Sequence, residues 1–454
     1  MYIVIVGGGK VGGLLTEQLL EEGHSITVID KNERVVEQLG NIYDIIGYVG
    51  NGATYPVLRS VDIGQCDLLI AVTASDEVNM LCCLAGHKLG AKHTVARVRN
   101  PEYSEQLYAL KEDLGLSMAI NPERAAAGEI ARILRFPSAT KVEMFAKGRV
   151  ELVSCRVLPG GMLDNMRLYE LPQRIGAKVL ICAVERDEEV IIPSGDFVIQ
   201  NGDVLYFTGD HSQMARAFKK IHLLVNRARS VLIAGGGRIT YYLSEMLLKE
   251  GVEVKIVERS LERATELGAL LPKAMVLHGD AADYELLMEE GIQKQDAFVA
   301  LTGLDEGNIL SAMYAHRNHV AKVIAKVNNA SLVTLIKNSG LESIISPKLV
   351  TANGILRYVR ALDAGRSGGD VQSLYKIVNG RAEVLEFYAR EEGAYLNIPL
   401  KELNLKRNTL IACIVRKGKT IIPGGEDCIR YGDTVLVVTA GQRFYALPDI
   451  VEEQ

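Results

Sequence analysis

The chain has 454 residues, 48% of them hydrophobic and 24% charged, with a formal net charge of −5; a length of this order reads as about three or four domains, and the mild acidity argues against a nucleic-acid polyanion as partner. No run of 18 apolar residues occurs, which argues against a membrane-spanning helix. Seven scattered cysteines, odd in number and with no C-x-x-C pair, read as reduced thiols in a cytosolic protein, not as a disulfide framework or a zinc site.

The first predicted element is the apolar strand Tyr2–Val6, which has no basic n-region and so does not read as a signal peptide. It runs into "VIVGGGKVGG", in which Gly7, Gly9 and Gly12 complete G-x-G-x-x-G, with Gly8, Lys10 and Val11 between them. Gly7 permits a tight turn, Gly9 lets the backbone approach a pyrophosphate, and Gly12 lets the next helix pack close to the sheet. That helix, "VGGLLTEQLLEEG", would present free N–H groups to phosphates at its start and stop at Gly23. Asp30 closes the second strand (Ile26–Ile29), placed to accept hydrogen bonds from ribose hydroxyls and to repel a 2′-phosphate. Asn51, after the third strand, can reach an adenine edge or ribose, or make an Asx-turn. The strand Asp67–Val72 delivers Thr73 to the same edge. Asp76 and Glu77 then open a helix, where acids favour the N-terminal dipole; a ligand role is the alternative. Cys82 and Cys83 fall in an apolar helix. At the end of the strand His93–Val98, Arg97 and Arg99 sit at the carboxyl edge, where they can carry phosphate charge or pair at the surface. A short strand, Ser117–Ile120, ends this first lobe, residues 1–120.

Residues 121–139 read as a crossover helix, with Pro122 in its first turn and Pro137 as its stop. It serves as a connector or as an oligomerisation arm. Residues 140–215 have short strands with Gly-Asp and Pro-Ser-Gly turns, a small β-rich domain. Residues 216–229 are a basic linker.

The second half repeats the first. Gly7 aligns with Gly235 and Asp30 with Glu258 at an offset of 228; "NGATYPVL" aligns with "DAADYELL" and "AVTASDEVNM" with "ALTGLDEGNI" at 229. Residues 230–345 form a second Rossmann-like lobe, 346–368 a second crossover helix and 369–454 a second β-rich lobe. Gly235, Gly237, Glu258 and Asp280 keep their places, but Thr240 replaces the third glycine and Asn328 the second arginine; Lys326 keeps a charge. Thr240 is expected to push helix and sheet apart or be absorbed by a smaller neighbour, so only the first copy keeps the full site. The fold class is α/β, with two Rossmann-like doubly wound parallel sheets, each followed by a small β-rich α+β domain.

No acid–base or nucleophile pair stands at catalytic spacing, so no catalytic residue and no metal ligand set is expected. A nucleotide sensor is the first reading and an NAD-dependent oxidoreductase the alternative.

The segments "VIVGGGKVGG", "VTASDEVNM", "VARVRNPEY", "HGDAADYELL" and "ALTGLDEGNILSAM", with two "IIP-[SG]-G" stretches, resemble the tandem regulator-of-potassium-conductance (RCK) family of Trk-type potassium uptake regulators, along nearly the whole chain. The resemblance implies a peripheral cytoplasmic regulatory subunit, not an enzyme, on the inner face of the membrane, docked on a Trk-type potassium-translocating membrane subunit. It implies NAD(H) and ATP or ADP as ligands of the Rossmann lobes. It also implies rings of eight such lobes, hence a homotetramer. The helices from Asn121 and Ser346, with apolar stripes Ile130, Ile133, Leu134 and Leu349, Ile355, Leu356, are the expected contacts between chains.

Overall fold

The computed structural model describes residues 1–135, 141–146, 149–187, 189–221, 228–329, 331–333, 341, 343–366, 371–390 and 395–452. The expected helix stop Pro137 and much of the 216–229 linker lie outside these residues.

The first lobe alternates β1 (Tyr2–Val6), α1 (Lys10–Glu21), β2 (Ser25–Asp30), α2 (Glu33–Ile42), β3 (Ile46–Val49), α3 (Tyr55–Ser60), β4 (Leu68–Ala71), α4 (Asp76–Lys88), β5 (His93–Arg97), α5 (Pro101–Leu110) and β6 (Met118–Ile120). Its sheet has the order β3-β2-β1-β4-β5-β6 and is parallel throughout. Parallel strands buried on both faces need continuous apolar runs, and Ile3–Val6 and Leu68–Ala71 supply them. The edge strand β3 is absent from the apolar runs because Ile46 and Val49 are exposed and Gly47 interrupts them. Gly23, at φ +80°, ends α1.

Helix α6 (Pro122–Arg135) leads into the first β-rich lobe: β7 (Lys141–Phe145), β8 (Val150–Arg156), α7 (Leu171–Ile175), β9 (Leu180–Arg186), β10 (Glu189–Ile191), β11 (Val204–Gly209) and α8 (His211–Lys220). The antiparallel order is β10-β9-β11-β8-β7. Residues 216–220, assigned above to a linker, finish α8 and bury Ala217 and Phe218 in this lobe's core.

The second lobe has β12 (Ser230–Ala234), α9 (Arg238–Lys249), β13 (Glu253–Glu258), α10 (Leu261–Leu270), β14 (Met275–His278), α11 (Tyr284–Glu289), β15 (Ala297–Ala300), α12 (Asp305–Arg317), β16 (Lys322–Lys326) and β17 (Ser343–Ile345). Its parallel order, β14-β13-β12-β15-β16-β17, repeats the first. Helix α13 (Pro347–Arg366) leads to β18 (Val371–Ile377), β19 (Ala382–Tyr388), β20 (Thr409–Arg416), β21 (Lys419–Ile421) and β22 (Thr434–Ala440), an antiparallel sheet ordered β18-β19-β22-β20-β21.

The crossover helices are exchanged between the two halves. On α6, Ala126, Ala127, Ile130, Ala131, Ile133 and Leu134 are buried in one core with Val231, Ile233, Leu243, Leu247 and Ile256 of the second lobe. On α13, Ala352, Ile355, Leu356 and Val359 are buried with Ile3, Ile5, Leu15, Leu19 and Val28 of the first. This corrects the expectation that these stripes meet other chains. An apolar stripe needs a matching face, and duplication places one on the same chain, where its effective concentration is high. Only Leu349 of the six stripe residues stays exposed. Each buried aliphatic side chain contributes about 1.5–3 kcal/mol, so the exchange is a strong tie. The two β-rich lobes also meet: Leu152, Cys182 and Tyr206 share a core with Val384, Cys413 and Val438. The molecule is thus an internal pseudo-dimer.

Candidate functional site

At the carboxyl edge of the first sheet, β1 turns through Gly7 at φ +102°, a conformation that favours glycine. A Cβ on Gly7 would meet the Thr73 backbone at 3.0 Å, and one on Gly12 would fall 1.8 Å from the Gly7 carbonyl. In this turn, therefore, neither glycine accepts a side chain unless the backbone around it shifts. Gly8 is packed against Val35 and Leu39. Gly9 differs: its φ is −65°, and a Cβ there would meet nothing within 4 Å. Gly9 is the N-cap of α1 and offers no side-chain acceptor, so the N–H groups of the helix's first turn, those of Lys10 and Val11 among them, keep their donor capacity. Lys10 is exposed and Val11 is buried.

Asp30 spans the turn. Its Oδ2 accepts from the Gly8 N–H at 2.8 Å and its Oδ1 from the Asn32 N–H at 2.9 Å. An ionised carboxylate has about four lone-pair sites, so capacity for ribose hydroxyls remains. Asn51 makes an Asx-turn, its Oδ1 accepting from Ala53 N–H at 3.2 Å; the loop reaches the site because Gly50 N–H donates to the Asp30 carbonyl at 2.9 Å.

Thr73, Arg97 and Arg99 are brought together beside Gly7. The Arg97 guanidinium donates to the Thr73 carbonyl, and that of Arg99 to the Ala74 carbonyl at 2.8 Å. Each keeps a buried Nε without a hydrogen-bond partner. Burial, with Arg99 beside it, pushes the Arg97 guanidinium below its usual range. Asp76 does more than favour the α4 dipole: its Oδ2 accepts from the Arg99 and Asn100 N–H groups, both at 2.8 Å.

Sequence reading missed Asn79. Fully buried, it accepts from Thr73 N–H (2.8 Å) and Thr73 Oγ1 (2.7 Å) and donates to the Arg97 carbonyl at 2.9 Å. The signal was present, since Asn308 stands at the same place in the repeat and makes the same bonds to Thr302 and the Lys326 carbonyl. Glu123 and Lys348, second residues of the two crossover helices, also border the site and were not singled out.

The second copy rebuilds the turn. Gly235 has φ +97°, a Cβ on Gly237 would meet nothing within 4 Å, and Glu258 accepts from Gly236 N–H at 2.6 Å and Ser260 N–H at 2.7 Å. Thr240 is accommodated: fully buried, its hydroxyl donates to the Gly235 carbonyl at 2.5 Å. The hydroxyl that Thr240 adds is thus satisfied by the turn's own carbonyl. Asp280 makes the Asx-turn of Asn51 again, accepting from Ala282 N–H at 2.9 Å. Lys326 donates to the Thr302 carbonyl at 2.6 Å, as Arg97 does to Thr73. Asn328 donates its backbone N–H to Asp305 at 2.8 Å.

Among the described residues, no group of three or more His, Cys, Asp or Glu side chains is placed to hold a metal, and no helix is long and apolar enough to cross a membrane. Cys82 and Cys83 are buried, and burial raises both thiols, that of Cys82 to about 12.

The TrkA-N domain matches residues 3–122 and 231–347, and the TrkA-C domain residues 152–222 and 384–448. The chain is 33% identical to the Trk system potassium uptake protein TrkA homolog 1 of Methanosarcina mazei, over 96% of this chain and 97% of that one. It is 34% identical to the Trk system potassium uptake protein TrkA of Halomonas elongata, over 98% of this chain and 96% of that one. A solved structure of the GsuK channel bound to NAD shares the fold, with a TM-score of 0.62 at 19% identity, over 97% of this chain and 77% of that one. The two family domains recur in the order in which the sheets recur, each glycine turn falling inside a TrkA-N match, and the chain belongs to the TrkA family of Trk system potassium uptake proteins.

Proposed function

We propose that the chain is the nucleotide-binding regulatory subunit of a Trk-type potassium uptake system, gating potassium transport through a separate membrane subunit. Adenine nucleotides, NAD(H) and ATP or ADP, are its regulatory ligands. Gly7–Gly12, Asp30, Asn51, Thr73, Arg97 and Arg99 form the first site, and Gly235, Gly237, Glu258 and Asp280 the second. The observation that carries the reading is Gly9. In the first turn a Cβ on Gly7 or Gly12 would strike the backbone, whereas a Cβ on Gly9 points into open space above a helix N-terminus, where a phosphate would lie. The NAD named for the GsuK channel agrees with this ligand class.

The oxidoreductase alternative shares the fold, and the family's naming as uptake proteins speaks against it. Calorimetry with ATP, ADP, NAD and NADH tests the reading. Asp30→Ala is expected to weaken binding at the first site by about tenfold or more, the worth of one charge-assisted hydrogen bond. Unchanged affinity would remove Asp30 from the site; hydride transfer above background with a substrate panel would favour the enzyme.

The assembly we propose is a homotetramer, held on the inner face of the membrane by its partner. Since α6 and α13 are committed within the chain, other faces must join chains. Leu81 on α4 and Leu310 on α12 are equivalent positions and are 51% and 57% exposed, which offers repeated apolar faces for ring closure. Light scattering is expected to give about four times the 49.6 kDa chain mass; a stable single chain would rule the ring out.

A further inference from the structure

Where α6 lies on α9, a polar contact crosses between the two halves and ends on the first nucleotide site. Tyr242, the fifth residue of α9, is 4% exposed. Its hydroxyl donates to the Arg99 carbonyl at 3.4 Å and accepts from the Asn121 side-chain amide at 2.9 Å. The same amide nitrogen donates to the Arg99 carbonyl at 3.3 Å. The other end of the Asn121 side chain sets which way this amide points, because its Oδ1 accepts from the Arg124 N–H at 2.9 Å and so caps α6.

Arg99 is the residue on which these bonds converge. Its N–H donates to Asp76 of its own half at 2.8 Å, while its carbonyl is held by Asn121 and by Tyr242 of the other half. Both peptide groups flanking Arg99 are thus fixed. Its side chain is held less: the guanidinium donates to the Ala74 carbonyl at 2.8 Å, and Nε is shut from solvent with no hydrogen-bond partner. The direction of that guanidinium therefore depends on the backbone beneath it. The second half lacks this brace. Leu14 of α1 aligns with Tyr242, Ser346 with Asn121 and Asn328 with Arg99. A leucine side chain has no donor or acceptor, and the Asn328 carbonyl instead accepts from the Lys348 ammonium at 3.4 Å. Burying a hydroxyl costs free energy unless it is hydrogen-bonded, and Tyr242 spends its bonds on the Arg99 loop.

We infer that Tyr242 is a positioning residue of the first nucleotide site, supplied by the second half: its hydroxyl holds the Arg99 loop so that the guanidinium stands at the carboxyl edge of the first sheet to meet the nucleotide's phosphates. The inference rests on the nucleotide reading proposed above. It makes the first site incomplete without α9, the helix that opens at the second glycine turn. Thr240, two residues before Tyr242, is bonded to the Gly235 carbonyl of that turn, so the brace is anchored at the second site.

Calorimetric titration of the full chain with ATP and NAD tests this, with Gly237→Val present to isolate the first site and Gly9→Val to isolate the second. Tyr242→Phe keeps the ring and its packing and removes only the hydroxyl. It is expected to weaken both ligands about fivefold at the first site, the worth of one neutral hydrogen bond, and to leave the second site unchanged. Arg99→Ala is expected to weaken the first site by itself, and Tyr242→Phe to add nothing further in that background, because the hydroxyl acts through Arg99. Parental first-site affinity in Tyr242→Phe, whatever its melting temperature, equal losses at both sites, or additive losses with Arg99→Ala would overturn the inference and leave the nucleotide reading standing. If the parent binds neither ATP nor NAD, the nucleotide reading fails and the inference with it.

Discussion

A Gly9→Val variant is expected to fold like its parent and to lose ATP and NAD at the first site by about 100-fold or more. The variant adds a Cβ and two methyl groups where no protein atom lies within 4 Å of the Cβ, so packing is undisturbed. The backbone is at φ −65°, open to any residue. The cost to stability is that of a poor helix cap, about 1 kcal/mol at most. Binding, by contrast, loses the approach of phosphate to the backbone N–H groups, and two such charge-assisted bonds are worth about 3 kcal/mol or more, hence the factor of 100. Gly12→Val is the informative contrast. Its Cβ would fall 1.8 Å from the Gly7 carbonyl, so it disturbs the turn itself and should lower the melting temperature as well. Thermal melts paired with calorimetry separate the two. Parental affinity in Gly9→Val would show that no phosphate passes over this turn.

The second large effect is expected at the opposite end of α1. Glu22, next after that helix, accepts from Arg360 of α13 at 2.6 Å, and Arg360 also donates to Glu383 of β19 at 3.0 Å. The three side chains are 4%, 10% and 10% exposed. Lys376 approaches Glu22 at 3.8 Å, and Arg443 donates to the Glu21 carbonyl at 2.7 Å. Arg360→Ala would leave two buried carboxylates without their shared cation, at a cost of about 3–5 kcal/mol. The pseudo-symmetric pair, Arg135 with Glu250, is 51% and 23% exposed, and Arg135→Ala is expected to cost only about 0–1 kcal/mol. Urea denaturation of the full chain measures both; equal losses would show that burial does not govern this cluster. The network has a functional consequence. One helix, α1, touches the nucleotide turn at its start and the second β-rich lobe at its end, so a ligand that shifts α1 has a direct route to that lobe. It moves the equilibrium only by its differential affinity for the two arrangements.

Local chemistry explains what could be read from the sequence. The glycine spacing, the apolar run before it and the acid at Asp30 are short-range demands of one turn, and all were visible. Sheet edges were less so: Ile46–Val49 pairs only on one side and lies exposed, which removes the apolar run that marks a buried strand. Apolar stripes on the crossover helices announced that Ile130 and Ile355 needed a partner, but two copies of one fold offer two equally suitable faces, and no periodicity tells same chain from other chain. Thr240 read as damage because a side chain there conflicts with the geometry of the first turn; its hydroxyl supplies a bond that compensates. Asp76 read as a helix-start acid, and its stronger role, holding the Arg99 and Asn100 N–H groups, depends on a loop 23 residues away. Asn121, at the start of α6, could be tied to α9 through the Tyr242 hydroxyl only once the exchange was seen.

The central claim is that nucleotide on this chain sets potassium transport through another. Potassium flux into vesicles carrying a Trk-type membrane subunit, with this chain added at the outer face that corresponds to the cytosol, tests it most directly. The expected result is flux that changes when ATP or NAD is supplied, and that ceases to respond to the first site's ligand in Gly9→Val. Flux that is the same with and without the chain, or with and without either nucleotide, would contradict it.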